Sequence, residues 1–352
     1  MTTSPLMKAV GYHQALPIEH PESLLDLKLP APQPQDLAPH DLLVAVSAVS
    51  VNPVDTKVRR SRAPAPGQAE VLGWDAVGTV LAVGPAVTLF QPGERVWYAG
   101  SITRPGSNAE RQVVDERIVA RAPASLNDAQ AAALPLTAIT AWELLFDRLG
   151  VPLQADRQGG AGQTLLVLGA GGGVGSILLQ LARRLTALTV VATASRPETR
   201  QWCEALGAHA VIDHRQPLLP QLKALGHAEV ALVASLTHTG DYFPQLVELL
   251  APQGRLGLID DLAPGELDVM ALKPKSLSLH WEMMFARSRF ATPDQIEQHR
   301  LLSRVAELVD AGQLRSTEGE HLGPIHAANL RRAHAHVESG RARGKVVLQG
   351  WV

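Results

Sequence analysis

Five glycines fall within the seven positions from Gly169 to Gly175, in the run Leu165-Leu-Val-Leu-Gly-Ala-Gly-Gly-Gly-Val-Gly-Ser176. An aliphatic, strand-like run enters this turn and a helix-like run, Ile177-Leu-Leu-Gln-Leu-Ala-Arg183, leaves it. Glycines at such a junction let the chain turn tightly, let backbone approach an anion, and let the helix pack close to the strand. The first helical N–H groups and the helix dipole then face a phosphate. In the G-x-G-x-x-G frame the first position is Ala170, whereas Gly169-x-x-Gly172-x-x-Gly175 fits throughout. A glycine cluster alone is as often a structural turn. The strand before it and the helix after it point to a dinucleotide pyrophosphate, with Gly169, Gly172, Gly173, Val174 and Gly175 as the cradle.

The choice of nicotinamide cofactor is read about 20 residues further on, where an Asp or Glu would hold the ribose hydroxyls of NAD. That place is taken by Ser195 and Arg196, in Val191-Ala-Thr-Ala-Ser-Arg-Pro-Glu198. A hydroxyl and a guanidinium suit a 2′-phosphate of charge about −1.5 to −2. A charge-assisted hydrogen bond of roughly 1.5–3 kcal/mol translates into a preference for NADPH of about 10- to 150-fold. In the alternative, Arg196 is solvated and Glu198 reaches the ribose.

The elements that must position these residues follow from the hydrophobic rhythm. Up to about residue 125 short apolar runs (8–12, 42–51, 78–83, 94–99 and 112–120) alternate with Gly/Pro/Asn/Asp turns and predict a β-rich region. Ser125-Leu-Asn-Asp128 has capping-box spacing ahead of an Ala/Leu-rich helical stretch, 129–149, which Pro135 divides or kinks. From residue 164 predicted strands (164–168, 189–194, 210–213, 229–235, 255–259, 276–281) alternate with predicted helices (176–185, 197–206, 218–225, 242–250). That alternation implies a doubly wound α/β parallel sheet. Helical stretches at 293–311 and 327–339 and a strand at 345–349 close the chain, and residues 154–163 read as a surface loop.

Composition narrows the classes. The 352 residues are 46% hydrophobic and 19% charged, with a formal net charge of −2 and no block of like charges, so nucleic acid is not expected as a partner. Cys203 stands alone, which excludes an internal disulfide and a thiolate-rich zinc cage and fits a reducing cytoplasm. The first residues lack a signal-peptide pattern. A charge-free window at 164–182 has the length of a membrane span, but its glycines argue for strand, turn and helix, so no membrane partner is expected.

Val51-Asn-Pro-Val-Asp-Thr-Lys57, Leu72-Gly-Trp-Asp-Ala-Val-Gly78, Pro92-Gly-Glu-Arg-Val96, Leu134-Pro-Leu-Thr-Ala-Ile-Thr-Ala141, the glycine turn and Glu338-Ser-Gly-Arg-Ala-Arg-Gly-Lys-Val-Val347 follow one another along the chain. In this order they resemble the medium-chain dehydrogenase/reductase superfamily, and are most similar to its quinone-oxidoreductase-like branch, which includes zinc-type alcohol dehydrogenase-like members. The resemblance implies a GroES-like β-barrel catalytic domain, residues 1–138 and 289–352, and a Rossmann NADPH-binding domain, 139–288, with the active site in the cleft between them. Zinc-dependent members carry a Cys near Val54/Asp55, a His-Glu pair where this chain has Trp74-Asp75, and often a four-cysteine site. These ligands are absent here, His334 and His336 point to different helix faces, and His321 and His326 fall in a loop, so no metal is expected.

Without a Lewis acid, reduction of a simple ketone loses several kcal/mol of charge stabilisation. A quinone or enone spreads the incoming charge onto a remote oxygen, so alignment and hydrogen bonds suffice. The reading is NADPH-dependent reduction of quinones or related conjugated carbonyls, with enone or alkenal double-bond reduction as the alternative. A non-catalytic NADPH-binding protein of structural or sensor kind is the second alternative. By resemblance, Asn52 and Tyr98 are catalytic candidates, lining the substrate pocket with Trp281 and Phe285. Thr137 and His238 resemble positions near the nicotinamide, Leu236 and Thr237 are further cofactor-binding candidates of the cleft, and Lys345 lies near the cofactor phosphate. Asn52 equally suits a turn before Pro53, Tyr98 core packing, and Asp55, Lys57 and Arg59 a local ion-pair cluster. The edge strand ending at Trp281, with residues 282–285, implies a homodimer.

Overall fold

Short apolar strands separated by turns open the described part of the chain, residues 5–352 of a computed structural model. They are β1 (Leu6–Tyr12), β2 (Leu25–Pro30), β3 (Asp41–Val51), β4 (Glu70–Val71), β5 (Ala76–Val83), β6 (Arg95–Tyr98), β7 (Arg111–Asp115) and β8 (Val119–Arg121), with helix α1 (Pro53–Ser61) after β3. Helices α2 (Asp128–Ala132) and α3 (Pro135–Trp142) follow, and α3 runs on into a π-helical turn, Glu143–Arg148. Then come β9 (Thr164–Leu168), α4 (Gly173–Leu185), β10 (Thr189–Thr193), α5 (Pro197–Ala205), β11 (Ala210–Ile212), α6 (Leu218–Ala224), β12 (Val230–Ser235), α7 (Thr239–Leu249), β13 (Leu250–Leu258) and β14 (Ser278–Trp281). The chain closes with α8 (Ala286–Phe290), α9 (Glu297–Asp310), β15 (Glu318–His321), α10 (Ala327–Glu338) and β16 (Lys345–Gln349).

Two units result: Met1–Leu136 with Phe285–Val352, and Thr137–Met284. In the first, β3 is central. Its sequence DLLVAVSAVSV is nearly continuous in apolar residues and mostly buried. That pattern suits a strand covered on both faces, and β3 pairs antiparallel with β5, β7 and β16 in a seven-stranded sheet. Strand β2 was not foreseen. Its Leu-Asp-Leu-Lys-Leu-Pro alternates by period two and pairs antiparallel with β1.

The second unit is a six-stranded parallel sheet in the order β11-β10-β9-β12-β13-β14, the doubly wound arrangement expected. The central strand β9, TLLVL, is buried throughout. Leu166, Leu168, Val191, Val233, Leu256 and Leu258 meet in one cluster. Each such side chain contributes roughly 1.5–3 kcal/mol on burial, and truncating Leu166 to Ala would cost about 2–5 kcal/mol. The charge-free window at 164–182 is therefore strand, turn and helix.

Pro135 does separate two helices, but the cap of α2 lies two residues beyond the expected place. Asn127 Oδ1 accepts from the Gln130 amide at 2.9 Å and Gln130 Oε1 accepts from the Asn127 amide at 3.2 Å. Ser125 is diverted, because its amide and hydroxyl both donate to Asp310 at 2.8 and 2.7 Å. Past Trp142 the helix widens, as the Leu149 amide reaches back five residues to Leu144 O at 2.8 Å.

Candidate active site

In the parallel sheet the chain leaves β9 for β10 and β11 on one side and then crosses to β12 on the other, so β9 and β12 flank the topological switch point. A ligand in such sheets binds beyond the carboxyl ends of the strands there. Gly169 ends β9 with φ +73, and a Cβ on it would sit 3.0 Å from Thr237 Cγ2 and 3.4 Å from Leu236 Cβ. Residues 67 positions apart in the chain thus meet at the crevice. At Gly175 an added Cβ would lie 2.5 Å from the Ala170 backbone, which is the close helix–strand packing the turn requires. Gly172 caps α4, whose first backbone bond runs from Ser176 N–H to Gly172 O at 2.9 Å. The amides of Gly173, Val174 and Gly175 precede that bond and point along the helix start, the arrangement that receives a pyrophosphate.

Ser195 and Arg196 follow β10 at the same edge, both half-buried. Arg196 begins α5, with its Nε 3.6 Å from Glu198 Oε1. Beyond β12, His238 takes the left-handed conformation, φ 52, uncommon outside glycine, and its Nδ1 is 2.7 Å from Thr237 Oγ1. Thr239 anchors this loop, its amide and hydroxyl donating to Asp260 at 2.9 and 2.6 Å. Asp260 was not foreseen; only its place just after a strand end hinted at it. Thr137 is buried and engaged in the start of this unit.

The first unit holds a different polar cluster. Lys345 Nζ donates to Asp75 Oδ2 at 2.8 Å and to Asn52 Oδ1, and these three side chains are almost wholly buried. Asp75 Oδ2 also accepts from Ser50 Oγ at 2.9 Å and Asn52 Nδ2 at 2.8 Å, while Oδ1 accepts from the Leu136 amide at 2.7 Å. An ammonium only donates and a carboxylate only accepts, which dictates the orientation of the Asn52 amide between them. Two expectations change accordingly. Lys345, expected beside a cofactor phosphate, is spent on Asp75, because a buried cation requires a buried partner. Asn52, expected to hold a substrate oxygen, has its amide taken up by Lys345, Asp75 and, at 3.4 Å, Trp74 O.

Asp55 and Arg59 do not pair with one another as a local cluster. Asp55 Oδ2 caps the Asn52 amide at 2.7 Å, and burial pushes its carboxyl up to about 7. Arg59 is buried and reaches Glu338 Oε1 at 2.5 Å. Tyr98 is fully buried, its hydroxyl has no protein partner among the described residues, and burial raises its phenol far above the ordinary value. Phe285 is buried edge-on to Trp74, ring centroids 6.0 Å apart. Trp281 is half-exposed at the end of the edge strand β14.

Next to it stands a carboxyl pair that the sequence reading missed. Glu282, buried and hydrogen-bonded to Glu143, accepts from Arg148 Nε at 2.9 Å. Burial and the neighbouring Glu143 push Glu282 up to about 9, so it holds its proton at neutral pH. Only the π-helical turn brings Glu143 and Arg148 to it, and no sequence pattern announced that turn.

Comparison with known proteins adds the following. A family model for the alcohol dehydrogenase GroES-like domain matches residues 38–124, and one for a zinc-binding dehydrogenase matches 206–348. A solved structure from Rhizobium etli CFN 42, whose name places it among zinc-dependent alcohol dehydrogenases, is 56% identical with a TM-score of 0.93 and 99% of each chain covered. A zinc-type alcohol dehydrogenase-like protein of Staphylococcus aureus strain MRSA252 is 39% identical over 345 residues, 97% of this chain and 99% of its own. A human mitochondrial NAD(P)H oxidoreductase is 30% identical over 339 residues, 88% of this chain and 82% of its own.

The names imply zinc, and the residues here do not fit it. Trp74 offers an indole N–H that donates to Ser101 O at 3.2 Å, and Asp75 is saturated by donors that include a cation. Among the described residues no three His, Cys, Asp or Glu side chains gather to hold a metal ion.

Proposed function

This chain belongs to the medium-chain dehydrogenase/reductase superfamily, and we propose that it falls in the quinone-oxidoreductase-like branch as an NADPH-dependent, metal-free reductase of quinones or related conjugated carbonyls. The observation that carries the reading is the meeting of Gly169 with Leu236 and Thr237 at the switch point of the parallel sheet. The glycine turn and the start of α4 hold the pyrophosphate, and the Leu236–His238 loop, pinned by Thr239 on Asp260, lies against the nicotinamide half. Ser195 and Arg196 take the 2′-phosphate. Bound NADPH supplies the hydride. The human relative's name, NAD(P)H oxidoreductase, supports the cofactor class.

Metal-free chemistry is supported by the donor set around Asp75, where Lys345 already supplies the compensating positive charge. A conjugated acceptor then suits the site, since its own π-system carries the charge that a Lewis acid would otherwise stabilise. The test is a panel of a quinone, an enone and a secondary alcohol with NADPH, NADH or the oxidised cofactors, run with zinc content measured. Quinone turnover with NADPH in zinc-free enzyme is expected. Alcohol oxidation that tracks bound zinc, with quinones inert, would overturn the proposal. We also propose a homodimer through β14, whose outer edge pairs with no strand among the described residues and carries the exposed Trp281 and Met283 nearby. Light scattering at micromolar protein should give twice the 37.6 kDa chain mass; the chain mass itself would contradict it.

A further inference from the structure

Arg215 stands 20 residues beyond Ser195 in the chain, yet its Nη2 donates to Ser195 O at 3.3 Å. Its guanidinium is oriented by Asp213, to which Nε donates at 3.1 and 3.2 Å and Nη2 at 2.7 Å, while Nη1 makes none of these bonds. The side chain is 64% exposed. Arg200 braces the same place from below, donating to Ala194 O at 3.3 Å and Val211 O at 2.7 Å, which ties the end of β10 to β11. The glycine turn lies against it as well, since a Cβ on Gly171 would fall 2.2 Å from Thr199 Cγ2 in the first turn of α5. Around residues 194–196 there are thus three guanidiniums, Arg196, Arg200 and Arg215, and two carboxylates, Glu198 and Asp213.

As a surface ion pair alone, Asp213–Arg215 would contribute little to stability. That account leaves the reach to the Ser195 carbonyl unexplained. We propose that Arg215 is a second specificity residue for the cofactor, completing with Ser195 and Arg196 a two-guanidinium clamp for the 2′-phosphate. The inference rests on the NADPH reading above. An arginine fork suits a phosphate because several N–H groups lie in one plane, and Asp213, which opposes the incoming anion, is neutralised by the same guanidinium that orients the clamp.

The experiment compares calorimetric binding of adenosine 2′,5′-bisphosphate and 5′-AMP to the full chain and to Arg215→Gln, Arg215→Lys, Asp213→Asn and the exposed-charge control Lys223→Gln. Arg215→Gln should weaken the bisphosphate about tenfold and leave 5′-AMP unchanged, with Arg215→Lys between. Asp213→Asn should tighten the bisphosphate by releasing Arg215 and removing an opposing charge, whereas a merely structural pair would make the same variant bind both nucleotides less well. Equal losses for both nucleotides in Arg215→Gln, or a control that matches it, would overturn the role of Arg215. A wild-type chain that binds the two nucleotides equally would overturn the NADPH reading, and the clamp with it; wild-type discrimination that survives Arg215→Gln would overturn the clamp alone.

Discussion

The Asn52–Asp75–Lys345 cluster and the carboxyl edge of the parallel sheet are both rich in polar groups, yet they are put to opposite uses. In the cluster the three side chains bond one another, and charge is balanced by a buried ammonium on a buried carboxylate. At the sheet edge α4 begins at Gly172 with no side-chain cap on its first amides, and the Arg215 side chain, though bonded to Asp213, is largely exposed. Density of polar residues therefore does not identify a site. What identifies it is backbone donors at a helix start, placed beyond the carboxyl end of a central strand.

The largest effect expected from this contrast is in the cluster. Lys345→Met leaves the Asp75 charge buried without its cation, and such a change costs about 3–5 kcal/mol. Denaturant titration should show that loss, and Lys345→Met with Asp75→Asn together should cost less than the sum of the two single changes. A loss near zero for Lys345→Met would show that the cluster is not closed. At the sheet edge the prediction is the reverse, a functional loss with stability largely kept in the other unit. Gly175→Val drives a side chain into the Ala170 backbone, and nucleotide affinity should fall on the order of 100-fold, about 2.7 kcal/mol. Fluorescence titration with NADPH checks it, and unchanged binding would remove the glycine turn from the site.

Groups whose charge the interior does not accommodate sharpen the comparison through pH. Glu282 is held up to about 9 from an ordinary 4.5, so between those values the native state binds the proton more than the unfolded chain does. Stability then falls as pH rises through that window, by up to about 1.4 kcal/mol per pH unit, and Glu282→Gln should flatten the slope. His334 has the opposite sign. Buried, with neither ring nitrogen partnered among the described residues, it is held down to about 3 from 6.5. The native state resists its protonation, so stability is lost as pH falls below 6.5, and His334→Leu should reduce that loss. Thermal melts across pH 4–9 measure both. The smallest effect belongs to the surface pair of His336 and Glu320, 3.1 Å apart and substantially exposed, where His336→Ala should change stability by less than about 1 kcal/mol.

The doubly wound sheet was legible because its strands are buried on both faces and read as unbroken aliphatic runs, as in TLLVL of β9. The glycine turn was legible because its geometry is written into consecutive residues. Strand β2 carried a clear period-two signal, half-buried and exposed residues alternating along it, that a search for continuous apolar runs passes over. Two kinds of information were not legible. One is competition, as where Asp310 takes Ser125 and moves the cap of α2 to Asn127. The other is long-range pairing. Asn52 and Lys345 are 293 residues apart, and Arg215 reaches Ser195 only because β11 lies beside β10. Residue types suggested what Lys345 and Asn52 were able to bind, and the fold decided that they bind each other.

The most direct test of the central claim is an equilibrium titration of the purified, zinc-free chain with NADPH and NADH, followed by nicotinamide fluorescence. NADPH should bind about 10- to 150-fold more tightly than NADH, with Arg196→Ala bringing the two together. Equal binding of both cofactors by the wild-type chain, or binding of neither until zinc is restored, would contradict the account.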